Sequence, residues 1–196
     1  MDSIVIIPII SAFSALLGVA LTAGLQARNQ TRNQQFQQYA DSVKYRREQL
    51  SKVQEQALQR IKIAHKLLSR TAREFSITNL DILWRSEMTD GEYDIRYLTA
   101  CAEVDELRAL IALYESQLSE KVEEIHGQMN LFWGNFKEVL YQTSKGNKVD
   151  HRSLSLQKAH AAAEQIGKTV AFVKNRLADR TEELHKDFST AMQVAA

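Results

Sequence analysis

Proline occurs once, at Pro8, cysteine once, at Cys101, and glycine only seven times in 196 residues. So few breakers argue against a turn-rich sheet protein and favour long helices. A lone cysteine excludes an internal disulfide and any multi-cysteine metal site. It leaves an intermolecular disulfide or, more plainly, a small buried hydrophobe on a helix. Neither sign of charge is in excess, with 25 Lys and Arg against 24 Asp and Glu. That balance gives no whole-chain case for a nucleic acid partner, which calls for a strongly basic face. The familiar catalytic signatures are missing too. There is no Gly-x-x-x-x-Gly-Lys-Ser/Thr phosphate cradle, no His-Glu-x-x-His pair and no Gly-x-Ser-x-Gly elbow. With 44% hydrophobic and 25% charged residues, the chain can nonetheless build a packed core.

What is present is uneven. All 25 Lys and Arg lie at or after Arg28, and residues 3–27 carry no charge. The run IVIIPIISAFSALLGVALTAGL matches the helix length needed to cross a hydrocarbon core of roughly 30 Å at about 1.5 Å per residue. A cleaved signal peptide wants positive charge before such a run, and here Met1-Asp2-Ser3 precedes it. The expectation is an uncleaved transmembrane anchor over residues 1–27. Arg28 and Arg32 follow the run, and the first acid after it is Asp41. Basic residues near a membrane stay on the cytoplasmic side, which predicts an outside N-terminus and a cytoplasmic body at the cell (inner) membrane. Ser14, Gly18 and Thr22 recur at four-residue spacing, as do Ala20 and Gly24. Small residues on one face let two membrane helices pack closely, so self-association through Ser14, Gly18 and Thr22 is expected.

Residues 28–38 form a polar juxtamembrane stalk. Arg28-Asn29-Gln30 repeats as Arg32-Asn33-Gln34, which stacks like residues on one helix side. The two arginines can snorkel toward lipid headgroups.

From Phe36 the apolar residues take up a 3-4 rhythm through Tyr39, Val43, Leu50, Val53, Ala57, Ile61, Ala64, Leu68 and Phe75. Arg46 interrupts that stripe where a core residue is due. Residues 76–93 are the first break, with a capping box at Thr89-Asp90-Gly91-Glu92. A second helix is expected over 94–143, its stripe running from Leu98 and Cys101 through Leu107, Ile111, Tyr114, Leu118, Val122, Ile125, Met129, Phe132, Phe136 and Val139. A turn at residues 144–148 and an N-cap at Asp150 introduce a third helix. Its stripe is Leu156, Ala159, Ala163, Ile166, Val170, Val173, Leu177, Leu184, Phe188 and Ala191, interrupted at Arg180. The expected fold is all-α: one N-terminal transmembrane helix, then a long antiparallel bundle of about three amphipathic helices with coiled-coil-like packing, occupying residues 39–196.

The one constellation that suggests chemistry is a duplicated Glu-x-x-His, at Glu123–His126 and Glu182–His185. Di-iron carboxylate bundles use that motif on two helices. Spacing argues against it here, since His126 lies 20 residues before Gly146 and His185 lies 39 after it. In a hairpin about Gly146 the two histidines stand about 28 Å apart along the axis. No metal, cofactor or catalytic residue is assigned, and a helical metalloenzyme is the disfavoured alternative. Trp133 and Phe136, near Gly127 and Gly134, mark either ordinary core or a place for a ligand or partner helix. Trp84, in the expected connection, is a candidate contact at the bundle tip.

The layout of short tail, anchor, basic flank and helical body resembles that of many small bacterial and phage membrane proteins. The expected function is that of a single-pass, non-catalytic interaction or scaffold module. Its partners are the lipid bilayer and either a second copy or another helical protein, engaged through Arg46, Arg180, Trp84 and Trp133. The rival readings are a membrane-bound sensor whose bundle repacks on ligand binding, and an envelope-spanning or lysis-type protein if the body lies outside.

Overall fold

The computed structural model describes the backbone of residues 3–194 and the side chains of residues 18, 19 and 21–193. The described residues contain no strand. Five α-helices follow one another: α1 Ser3–Glu74, α2 Ile77–Arg85, α3 Asp90–Tyr114, α4 Ser119–Ser144 and α5 Leu154–Val194. A single 3-10 turn, Ser116–Leu118, joins α3 to α4. The chain divides into two compact units, one of Met1–Lys52 with Ser189–Ala196 and one of Val53–Phe188.

In the first unit, residues 21–42 are exposed on every face of α1. Phe36 and Tyr39, expected in an apolar stripe, are 72% and 65% exposed. The hydroxyls of Thr22, Thr31 and Ser42 donate to carbonyls one turn back in their own helix, at Gly18, Ala27 and Tyr39. Among the described residues, no helix is long and apolar enough to cross a membrane. The side chains of residues 3–17 and of Ala20, which form most of the uncharged run, lie outside the described residues.

The second unit is a helical bundle whose pairing can be read from its polar contacts. Arg70 meets Glu103 and Glu74 meets Arg96, so α1 and α3 run antiparallel. Arg108 meets Glu123 while Trp133 meets Asp94, which makes α3 and α4 a hairpin. Gln165 and Thr169 both donate to Glu124, and Lys174 donates to Ser69, so α5 runs back along α4 and against α1. Four antiparallel helices result, in up-down-up-down order, with α2 as a short fifth element.

Three long helices were expected, and the second of them is two. The apolar stripe continues through the break because Ile111 and Leu118 are both core residues, 1% and 4% exposed, on either side of it. Between them the chain turns at Glu115 (φ −141°, ψ 51°) without proline or glycine. The rhythm therefore survives a reversal of direction. Leu98 and Tyr114, which the continuous stripe included, are exposed, whereas Tyr93, Tyr97 and Val104 take the inward positions.

The first break falls where expected. α1 stops at Glu74, Ser76 caps α2 by accepting from the Asn79 amide, and Glu87 adopts a left-handed conformation (φ 54°) that turns the chain toward α3. The Thr89–Glu92 capping box is complete, with each side chain bonded to the other's backbone amide. After α4, Gly146 has φ 76°, its amide donates to Thr143 and the Asn147 amide donates to Gln142. That is a Schellman stop, and it needs glycine. Asp150 does not cap α5. Its carboxylate accepts from the Arg152 amide in a turn, and the helix starts four residues later at Leu154.

The core runs the length of the unit. Leu156, Ala159, Ala163, Ile166, Val170, Val173 and Leu177 of α5 are all buried, as the stripe predicts. Phe75, Phe132 and Phe136 are its largest fully buried side chains. Phe75 packs edge-on to Phe132 at 5.4 Å, and Tyr93 edge-on to Phe136 at 5.0 Å, the arrangement the ring quadrupoles favour.

Candidate functional site

Two places in the bundle hold more than packing. The first lies on the α3–α4 hairpin. Trp133 is half-buried and stacks on Tyr97, with ring centroids 5.0 Å apart and planes 19° from parallel. Its indole Nε1 donates to Asp94 at 2.9 Å, and Lys137 both binds the other oxygen of Asp94 and stands 5.3 Å over the indole ring. The Lys137 ammonium is the main reason the Asp94 carboxyl is held below its ordinary value; partial desolvation opposes it, and the Trp133 bond adds to it. Tyr97 donates its hydroxyl to Asn130, and burial pushes its phenol up. The Tyr97 hydroxyl, the Trp133 indole N–H, both Asp94 oxygens and the Lys137 ammonium are all bonded within the hairpin, which makes the cluster a structural clasp. Gly127 and Gly134 do not open a pocket beside it. Both are exposed, and a Cβ at either would meet nothing within 4 Å. Trp84 is held in a comparable way, its indole donating to Thr143 at 3.0 Å and joining α2 to the end of α4.

The second place is a cavity of about 180 Å³ where α1, α3 and α5 meet beside the break at Glu115. Arg60, Tyr114, Glu115 and Arg180 supply its polar lining, and Ala57, Ile61, Leu110 and Leu177 are among its apolar walls. The Arg60 guanidinium lies over the Tyr114 ring, 4.0 Å from its centroid. Arg180 pairs with Glu183 at 2.9 Å and, more loosely, with Glu115 at 3.5 Å. The bond to Glu183 is the main cause that raises its pKa, with Glu115 contributing. Arg180, which interrupts the α5 stripe, binds two acids of its own chain, Glu115 and Glu183. Arg60 and Glu115 are not legible as site residues in the sequence, and Tyr114 reads there only as a stripe position. Their signal was weak, since Arg60 precedes Ile61 on the edge of the stripe and Glu115 belongs to a break that no residue type announces.

The remaining candidates are dispersed. Arg46 is exposed and does not interrupt the seam. Half-buried Val43, Arg47, Leu50, Gln54, Ala57 and Ile61 follow a 4-3 alternation, flanked by half-buried Leu58 and Arg60, that puts Val53 outside at 64% exposure. Gln54 thus occupies a seam position, and its amide nitrogen lies 3.2 Å from His185 Nδ1. Arg28 and Arg32 are exposed. Gly18 and Thr22 are exposed as well, and Ser14 lies outside the described side chains. The two Glu-x-x-His motifs are not brought together. Glu124 faces residues 165 and 169, Glu123 is bound by Arg108, and His185 faces α1. Among the described residues, no group of three or more His, Cys, Asp or Glu could hold a metal ion.

Comparison with known proteins finds no matching family model, no similar curated protein and no similar solved structure.

Proposed function

We propose that the chain is a membrane-tethered, non-catalytic scaffold: one N-terminal transmembrane helix holding a four-helix bundle at the cytoplasmic face of the cell membrane. The observation that carries this reading is the distribution of charge. No Lys or Arg precedes Arg28, residues 3–27 are uncharged, and Arg28 and Arg32 lead the polar stretch that follows. An uncharged run of that length satisfies the bilayer, and basic residues behind it are retained on the cytoplasmic side. Exposure of Arg28 and Arg32 is compatible with headgroup contact. Tethering acts by confinement, raising the effective concentration of whatever the bundle holds.

The partner we propose for the anchor is a second copy. Gly18 and Thr22 leave an open strip, and the Thr22 hydroxyl is already satisfied by the Gly18 carbonyl at 2.6 Å. A strip of that kind suits close packing in lipid without an unpaired donor. Gly18→Leu is expected to abolish self-association in a membrane two-hybrid assay; an unchanged signal defeats the second-copy proposal.

Paired reporter fusions after Ala196, one active only in the cytoplasm and one only outside it, test the tether itself. Cytoplasmic activity together with membrane fractionation supports the scaffold. Activity of the external reporter overturns the orientation and favours an envelope-spanning or lysis-type protein. Full recovery of the chain in the unbound fraction after carbonate washing removes the anchor altogether.

A further inference from the structure

The arginine-lined cavity of the bundle has an imbalance that packing alone does not account for. Arg60 and Arg180 both line it beside Glu115, and only one of the two arginines is paired with acids of the bundle. Arg180 is shared between Glu115 and Glu183. Arg60 rests on the Tyr114 ring, and among the described residues no carboxylate lies within ion-pair distance of it. Both arginines are half-buried. A guanidinium keeps its charge, so one that is partly desolvated and rests on a ring without a carboxylate is open to an anion from outside the bundle. The rest of the lining is apolar: Ala57, Ile61, Leu110 and Leu177 are suited to an uncharged group and offer nothing to a fully hydrated ion.

We propose that this cavity is a binding site for a small monocarboxylate bearing one apolar group about the size of a six-membered ring. Size sets that limit. The cavity measures about 180 Å³, and an apolar cavity of about 150 Å³ is known to accommodate benzene. Charge and geometry set the headgroup. The Arg60 guanidinium, 4.0 Å from the Tyr114 ring centroid, carries paired N–H donors of the kind that match a carboxylate in bidentate fashion. Arg180 lines the same cavity from α5 and is the second cation within reach of the headgroup. Because Glu115 is also the residue at which α3 ends, a bound carboxylate competing for Arg180 acts directly on the α3–α4 joint. The site does not depend on the membrane tether, and its failure leaves the tether untouched.

Benzoate is the probe, with benzamide, acetate and benzylamine at equal concentration and ionic strength as its neutral, tail-less and cationic counterparts. Thermal melts and calorimetric titration are run on the purified full chain. Benzoate is expected to bind and to raise the Tm, with each of the other three giving at most a small fraction of that shift. Arg60→Gln is expected to weaken the benzoate Kd about tenfold, and Arg60→Lys to weaken it less. Should Arg60→Gln melt before it can be titrated, Ala57→Leu fills the cavity from the same helix and is expected to abolish benzoate binding. Equal stabilisation by benzamide overturns the carboxylate assignment, because it reports a bare apolar hole. Equal stabilisation by acetate overturns the apolar half of it. Benzoate binding that survives unweakened in Arg60→Gln or in Ala57→Leu overturns the site.

Discussion

α1 is continuous from Ser3 to Glu74, yet its two stretches follow different rules. Over residues 21–42 no side chain is covered, and even Phe36 and Tyr39 stand in the open. Over residues 53–74 the helix is amphipathic in fact, with Ala64, Leu67, Leu68 and Thr71 buried and Arg70 and Arg73 outside. An apolar residue at helical spacing therefore says which face could be buried, not that anything covers it. Helix propensity alone leaves the open stretch marginal, while packing holds the other.

The largest effect that separates the two stretches comes from aromatic truncation. Phe136→Ala removes a fully buried ring from the bundle and is expected to cost about 3–5 kcal/mol in chemical denaturation. Phe36→Ala, at an open position, is expected to stay within about 0.5 kcal/mol of the wild type. A loss at Phe36 comparable to that at Phe136 means that a second chain covers the first stretch, and that the loss depends on protein concentration.

A smaller effect concerns acid. Asp94 is held below its ordinary value of 3.8, chiefly by Lys137, so its folded form binds a proton less readily than the unfolded chain does. The stability it contributes is fully present above 3.8 and is lost as pH falls through the lower folded value. Urea denaturation from neutral pH down to about pH 3 is expected to show a shallower acid loss in Asp94→Asn than in the wild type. Identical pH profiles show that the clasp does not hold the hairpin.

Much of the fold was readable because it rests on chemistry that is local. The Thr89–Glu92 box and the Gly146 stop follow from residue types that satisfy stranded amides and carbonyls within one turn. The α5 stripe is readable because one face of that helix is fully buried from Leu156 to Leu177 and half-buried at Leu184, Phe188 and Ala191. The reversal at Glu115 was not readable. It lacks a breaker, and the seven-residue step from Ile111 to Leu118 suits a straight helix and a hairpin equally well. The α1 seam departs from the apolar stripe at Val53, because Val53 is apolar and exposed whereas Gln54 is polar and half-buried. The heptad keeps Gln54 inside and lets His185 meet its amide. The cavity was half legible, since Arg180 was visible as an oddity on α5, while Arg60 and Glu115 become its neighbours only once four helices are assembled.

The placing of the two indoles has an optical consequence. Trp133 is stacked on Tyr97 and lies near Lys137, and Trp84 is pinned to Thr143 where α4 ends, so both chromophores lie away from the turn that joins α3 to α4. Ultraviolet emission from this molecule is thus a gauge of one half of the bundle. The half that contains Arg60 and Arg180 holds Tyr114 but no indole, so tryptophan emission does not follow its melting and backbone dichroism does. Any gap between the two signals as temperature rises measures how far the halves have come apart as cooperative partners.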